Sequence, residues 1–276
     1  MFGTNPFAPA MQSLPAGFME WYLCLMAAAV IVGVLVDITH KGSARYFFAH
    51  MKKAREAKGA RPIGGGELAS IAVQTAVVDV LASGEFCNPH RRLAHLLTMW
   101  GFVFYLATTV ILVFRYPAAA APAPAIVPML WWIGAAMVAV GGYWFWFFIR
   151  VDVAAEGKSP WRLVRADLFV LSLLASVTLG IVWAWNGGGA GVLFWPYLLA
   201  TTVLFGSVFW SKFAHMFFKP AAAFGKRIAN ANGTAENLPL HSRDDPEQQK
   251  RHSMELLRDA PRDMGLGIKR EAPRHY

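Results

Sequence analysis

Two of the eight histidines lie inside apolar stretches, where a polar ring is costly and often functional. His95 follows Arg92 by three residues in RRLAHLLTMWGF, and His215 precedes Lys219 by four residues in FWSKFAHMFFKP. At a helical rise of 1.5 Å per residue, each imidazole lies about 5 Å inside a charged boundary. If the two stretches are antiparallel helices, the rings lie at the same depth. Two imidazoles that face each other across a helix bundle are the ligand pair of a six-coordinate b-type haem.

A simpler interpretation of these two histidines stays open. A ring near a helix end can reach the membrane interface or cap backbone carbonyls, and neither role requires a ligand. The same two stretches hold no further histidine at the depth where a second haem would need its ligands. The sequence therefore predicts one haem at most.

The composition is that of an integral membrane protein. Hydrophobic residues make up 56% of the chain and charged residues 16%, and the mean hydropathy is +0.38. Two cysteines, Cys24 and Cys87, are too few for a disulfide framework or an iron–sulfur cluster. The N-terminus lacks the basic segment of a cleaved signal peptide, so we expect the first apolar run to be retained.

Five apolar runs are long enough to span a membrane, which predicts an all-α integral membrane bundle of five helices. The predicted spans are 18–39, 93–114, 126–149, 166–186 and 195–218. The run 68–81 is shorter and contains Gln74 and Asp79, so it is predicted to be an amphipathic helix at the membrane surface. The chain then divides into an outer segment 1–17, a membrane domain 18–225 and a polar tail 226–276.

The distribution of basic residues predicts the orientation. With five spans, every Lys and Arg except Arg115 falls on one side, which the positive-inside rule assigns to the cytoplasm. The N-terminus is then outside and the C-terminus inside. Membrane insertion accounts for the net charge of +9, so nucleic-acid binding is not expected. Tryptophans near the outer helix ends are expected to form an aromatic belt: Trp131, Trp132, Trp183, Trp185 and Trp195.

Several other residues are weaker candidates for function or packing. A quinone headgroup near the inner face would find polar partners in Lys212, Ser211, Arg92 and Asp167, although ordinary boundary charge is the favoured explanation of these residues. Asp37 and Asp167 are expected to pair with Arg or Lys. Four glycines are expected to permit close helix approach: Gly33, Gly101, Gly180 and Gly206.

The cytoplasmic side offers possible docking segments for a soluble partner. KPAAAFGKR carries basic residues at helical spacing, and LASGEFCNPHRR places Cys87 and His90 nearby. For the first segment, positive-inside anchoring is the favoured explanation. In the tail, DDPEQQKRHSMELLRDA is predicted to form a short helix that begins at Asp244 or Asp245. The remaining tail has no regular pattern and is expected to bind a partner.

The two histidine motifs, RRLAHLLTMWGF and FWSKFAHMFFKP, resemble cytochrome b membrane subunits of the respiratory nitrate reductase gamma type. The closer resemblance is to the membrane domain of quinone-interacting and heterodisulfide-reductase-like complexes, and to the membrane anchor associated with adenylylsulfate reductase in sulfur-oxidising bacteria. It covers roughly residues 18–225. The resemblance implies haem b between His95 and His215, a cytoplasmic iron–sulfur or flavin oxidoreductase as partner, and the bacterial inner membrane as location. The iron–sulfur domain of the larger relatives has no counterpart in the sequence.

Two functions follow. In the first, the chain is the membrane subunit of an oxidoreductase complex, either non-catalytic or quinone-reacting, and passes electrons between the partner and quinone through one haem b. In the second, it is a haem-free anchor that docks the same enzyme through its loops and tail. A small transporter is disfavoured, because the sequence shows no inverted repeat, no pair of broken helices and no charge at the membrane midplane.

Overall fold

The computed structural model describes residues 2–117, 122–151, 157–235, 238 and 245–247, and all regular structure among them is helical. The longer helices are α2 (Phe18–Val36), α5 (Pro89–Arg115), α6 (Ile126–Trp144) and α7 (Leu168–Trp185), and π-helical turns extend α2 over Asp37–Lys41 and α6 over Phe145–Ile149. Shorter ones are α1 (Ala8–Ser13), α3 (Ser43–Glu56), α4 (Gly65–Gln74), α8 (Phe194–Gly206) and α9 (His215–Ala231). Within this described part of the chain, four helical segments are long and apolar enough to cross a membrane: Phe18–His40, Pro89–Arg115, Ile126–Ile149 and Arg165–Trp185. They coincide with the first four predicted spans, and the chain is a multi-pass helical membrane protein by this criterion.

The predicted fifth span, 195–218, is wrong as a single helix. Helix α8 ends at Gly206, a turn follows, and a 3₁₀ turn, Lys212–Ala214, leads into α9. With 13 residues, α8 is about 20 Å long, which is short of the roughly 30 Å hydrocarbon core. Ser211 marks the restart, because its Oγ accepts a hydrogen bond from Phe213 N at 3.2 Å. Val208, inside the break, is fully buried.

Three of the predicted glycines allow another segment to approach closely. A Cβ at Gly101 of α5 would lie 2.8 Å from the carbonyl oxygen of Gly134 in α6, so the two backbones are in contact. Likewise a Cβ at Gly33 would collide with Val208, and one at Gly180 with the Tyr105 hydroxyl. The prediction is wrong for Gly206, which ends α8 in open space.

The end of the bundle where α5 finishes and α6 begins is closed by the N-terminal segment. We call it the tryptophan end. Phe7 is fully buried, with its ring 5.9 Å from Trp131 and 5.2 Å from Trp183, and Asn5 Nδ2 donates to the carbonyls of Leu112 and Tyr116. The N-terminal segment is thus anchored to the bundle through Asn5, Phe7 and Ala10.

This packing corrects the predicted aromatic belt. Trp131, Trp132 and Trp183 are buried in the core, and only Trp185 and Trp195 of the five tryptophans are more than half exposed. Composition placed all five near helix ends but does not say which face of a helix each one occupies.

At the opposite end, which we call the basic end, α3, α4 and α9 form a layer beside the bundle. The predicted amphipathic helix 68–81 is present as α4 and a π-helical turn, Thr75–Leu81. Arg227 of α9 bonds Asp79, with Nε–Oδ2 at 2.5 Å and Nη2–Oδ1 at 2.9 Å. This layer surrounds the chain segments that carry the two histidines.

Candidate histidine site at the basic end

His95 is positioned by a well-defined helix start. Asn88 caps α5 by accepting from the backbone N–H groups of His90 and Arg91, and Pro89 occupies the first helical turn. One turn later, His95 Nδ1 lies 2.9 Å from Ser83 Oγ, and its ring packs 4.8 Å from the Phe86 ring. The loop before α5 therefore fixes both the tilt and the rotation of this imidazole.

His215 is positioned by the helix break that sequence patterns missed. It is the first residue of α9, and its Nδ1 donates to the carbonyl oxygen of Lys212 in the preceding 3₁₀ turn. Its ring packs against Phe169 at the start of α7, with the centroids 5.6 Å apart. His215 therefore enters the site from the end of α9 and not from the middle of a spanning helix.

The structure brings the two predicted residues into one region. Phe86 packs on His95, and Lys219, one helical turn after His215, places its Nζ 4.8 Å from the centroid of the same Phe86 ring. In both rings Nδ1 is engaged by an oxygen atom, and among the described residues no hydrogen bond reaches either Nε2. A metal-binding imidazole has this arrangement, since one nitrogen is held by a hydrogen bond and the other is left for the metal.

The basic residues near the site are held by the chain's own acids. Glu85 lies 3.2 Å from Lys219 Nζ and 3.6 Å from Lys226 Nζ. Asp79 hydrogen-bonds Arg227 and raises the pKa of that guanidinium. Three cations of the predicted docking segment KPAAAFGKR are therefore used to hold α9 in place.

The predicted quinone candidates are largely engaged in structural bonds. Asp167 pairs with Arg150 at 2.5 Å, which confirms the expected ion pair, and Arg150 is fully buried. Arg92 Nε donates to the Ala82 carbonyl at 2.9 Å, and Ser211 caps the 3₁₀ turn. Lys212 is exposed and Asp37 is buried.

Arg150 itself was not singled out from the sequence. Besides Asp167, it donates to the carbonyls of Ser159 and Arg162 and lies 4.1 Å from the Trp146 ring, so it ties the loop between α6 and α7 to the bundle. The only sequence signal was a basic residue at the end of an apolar run.

Two layers separate the histidines from the tryptophan end. The first is aromatic and is formed by Phe102, Phe205 and Phe213, whose ring centroids lie 5.8–6.4 Å apart. The second contains hydroxyl groups: Tyr105 donates to Tyr197 at 3.2 Å around a cavity of about 30 Å³. This hydroxyl layer also was not predicted.

The donor set limits the kind of metal group that the site can hold. No group of three or more His, Cys, Asp or Glu suited to a metal ion occurs within the described part of the chain. Two axial imidazoles still suffice for haem, because the porphyrin supplies the other four iron ligands.

Comparisons with known proteins give no further guidance. No family model matches the chain, and neither the curated proteins nor the solved structures contain a match.

Proposed function

We propose that this chain is the membrane subunit of an oxidoreductase complex and passes electrons between a soluble redox enzyme and membrane quinone through one haem b. The observation that carries the proposal is the histidine pair: two imidazoles from separate helices lie at the same end of the bundle, and an oxygen atom contacts Nδ1 of each ring. Among the described residues no hydrogen bond reaches either Nε2. Bound haem would supply a one-electron iron couple.

The residues present fit such a group. His95 and His215 would hold the haem iron through Nε2, while Ser83 and the Lys212 carbonyl contact Nδ1 and orient the two rings. Phe86 and Phe169 shield the rings from water.

The same proposal includes the topology. The basic end faces the cytoplasm of a bacterial inner membrane, and α8 with the following turns completes a fifth crossing. Buried side chains such as Val208 support this, because irregular backbone at membrane depth requires protein around it. The N-terminus then lies outside.

The partner rests on the sequence resemblance. We propose a cytoplasmic iron–sulfur or flavin enzyme of sulfur metabolism, similar to adenylylsulfate reductase, docked through the basic end and the tail. In the tail, Asp245 Oδ1 accepts from Glu247 N at 2.8 Å, as at a helix start, and the rest of the predicted tail helix lies outside the described residues.

One contact favours the alternative of a haem-free anchor. The ring centroids of Phe86 and His95 lie 4.8 Å apart, so Phe86 covers one side of the imidazole. Lys219 Nζ lies 4.8 Å from the Phe86 centroid. In this alternative, the histidines pack the loop before α5 and the redox chemistry belongs entirely to the partner.

A reduced-minus-oxidised absorption spectrum separates the two functions. We expect protein purified from haem-replete cells to show a b-type α-band that His95→Ala and His215→Ala abolish. His90→Ala is the matched control. His90 lies near the start of α5, as His95 does, but its ring packs near Trp144, with the two ring centroids 6.0 Å apart. A colourless wild-type protein that still retains the soluble enzyme at the membrane would contradict haem binding. It would support the alternative of a haem-free anchor.

A further inference from the structure

A second candidate site lies in the layer at the basic end, apart from the histidines. It is a cavity of about 390 Å³ between α3, α4 and α9. Its lining residues include Arg55, Arg61, Asn232, Ile63, Leu68 and Ile228. Two guanidinium groups and no carboxylate belong to the described lining, and the remaining wall is mostly apolar. A molecule with an anionic group next to an apolar part matches this lining.

The walls of the cavity are held by specific bonds. Asn232 is buried, and its Nδ2 donates to the Ala54 carbonyl at 2.7 Å, which joins the ends of α9 and α3. Arg61 N donates to the Asn232 carbonyl at 3.0 Å, and the Arg61 guanidinium is paired with Glu67. The site is therefore formed before any ligand binds.

Arg55 is the cation available for a ligand. Its side chain is exposed, and among the described residues it makes no hydrogen bond or ion pair. A guanidinium binds a phosphate through two parallel hydrogen bonds, which gives it an advantage over the ammonium group of lysine.

The position of α3 indicates where the anion comes from. This helix begins at Ser43, directly after the first spanning segment, and it is rich in basic residues: Arg45, Lys52, Lys53 and Arg55. Phe48 is 65% exposed and precedes Arg55 by two helical turns, so the two side chains lie on the same face. A basic helix next to a span with an exposed aromatic on the same face is typical of segments that bind anionic lipid.

We propose that this cavity binds the phosphate group of an anionic phospholipid, with Arg55 as the anion contact, since Arg61 is paired with Glu67. The apolar wall at Ile63 and Leu68 contacts the glycerol portion. The site is independent of the histidines, so it holds whether or not the chain carries haem.

Lipid retention by the full-length protein tests the proposal. The protein is reconstituted in nanodiscs of phosphatidylcholine with or without phosphatidylglycerol, and bound phosphatidylglycerol is counted by native mass spectrometry. We expect Arg55→Ala to weaken retention about fivefold, since one basic residue near the surface contributes about 1 kcal/mol. Arg55→Lys should fall between the wild type and Arg55→Ala. Lys53→Ala, two positions away and outside the lining, should weaken retention less than Arg55→Ala.

Two outcomes contradict the proposal. If the wild type and Arg55→Ala retain phosphatidylglycerol equally, the cavity is not the lipid-binding site. Binding of inorganic phosphate as tight as that of the lipid shows a site for a free anion instead. Equal thermal unfolding of all variants in pure phosphatidylcholine ensures that a loss of lipid is not a loss of fold.

Discussion

The buried ion pair between Arg150 and Asp167 gives the sharpest test of the packing at the basic end. Arg150 is fully buried, and Asp167 Oδ2 accepts from both Arg150 Nη2 and Val164 N. The substitution Asp167→Ala leaves a buried guanidinium without its counter-ion. Breaking a buried pair by removing one partner costs about 3–5 kcal/mol. At about 2–4 °C per kcal/mol for chains of roughly this size, Tm should fall by about 6–20 °C.

The assay is thermal unfolding of the detergent-solubilised protein, measured by fluorescence-detected size-exclusion chromatography after heating. The matched control is Glu56→Ala, which removes an exposed pair with Lys52 at 3.9 Å and should change Tm little. A double variant, Arg150→Met with Asp167→Leu, should be less destabilised than Asp167→Ala alone, because no charge then remains buried. If Asp167→Ala unfolds at the same temperature as the control, Arg150 does not depend on this carboxylate and the argument fails.

Three further predictions concern the bundle, the histidine site and the tail. Phe7→Ala should lower the free energy of unfolding by about 3–5 kcal/mol, because it empties a fully buried position between two tryptophans. Thermal unfolding measures the loss. An effect no larger than that of Phe2→Ala would contradict the packing of Phe7 into the bundle. Ser83→Ala should keep the α-band but shift its midpoint potential in a redox titration, since the hydrogen bond to His95 Nδ1 is lost; an unchanged potential would separate Ser83 from the site. Deletion of residues 240–276 should leave membrane insertion intact and weaken retention of the soluble partner in a pull-down; unchanged retention would show that the tail is not the docking element.

Composition and spacing alone predicted the class of protein and four of its helices. Twenty or more apolar residues in a row must be helical in lipid, because every backbone hydrogen bond has to be made within the segment. The charged boundaries beside His95 and His215 also limited both rings to one end of the bundle. Hydropathy and the spacing of charges are local properties of the chain. They were therefore enough to predict these four helices and the end of the bundle at which the two histidines lie.

The break after Gly206 depended on tertiary packing. The residues 207–211 include no glycine, proline or charged residue that would signal a break, and hydropathy does not register whether the backbone turns. The turn is possible because Gly33 leaves room for Val208, a contact between segments 175 positions apart. Its consequence is that His215 begins a helix and is held by the Lys212 carbonyl.

The partners of the charged and aromatic residues were likewise decided only by the folded structure. Sequence placed basic residues at the helix ends, but Glu85 and Asp79 hold three of them and Asp167 holds a fourth. Sequence placed tryptophans at the other end, but Phe7 packs between two of them. Hydropathy and charge counts measure the preference of a residue for lipid or water. Which side chain fills a particular space is determined by distances across the bundle, and these exist only once the chain has folded.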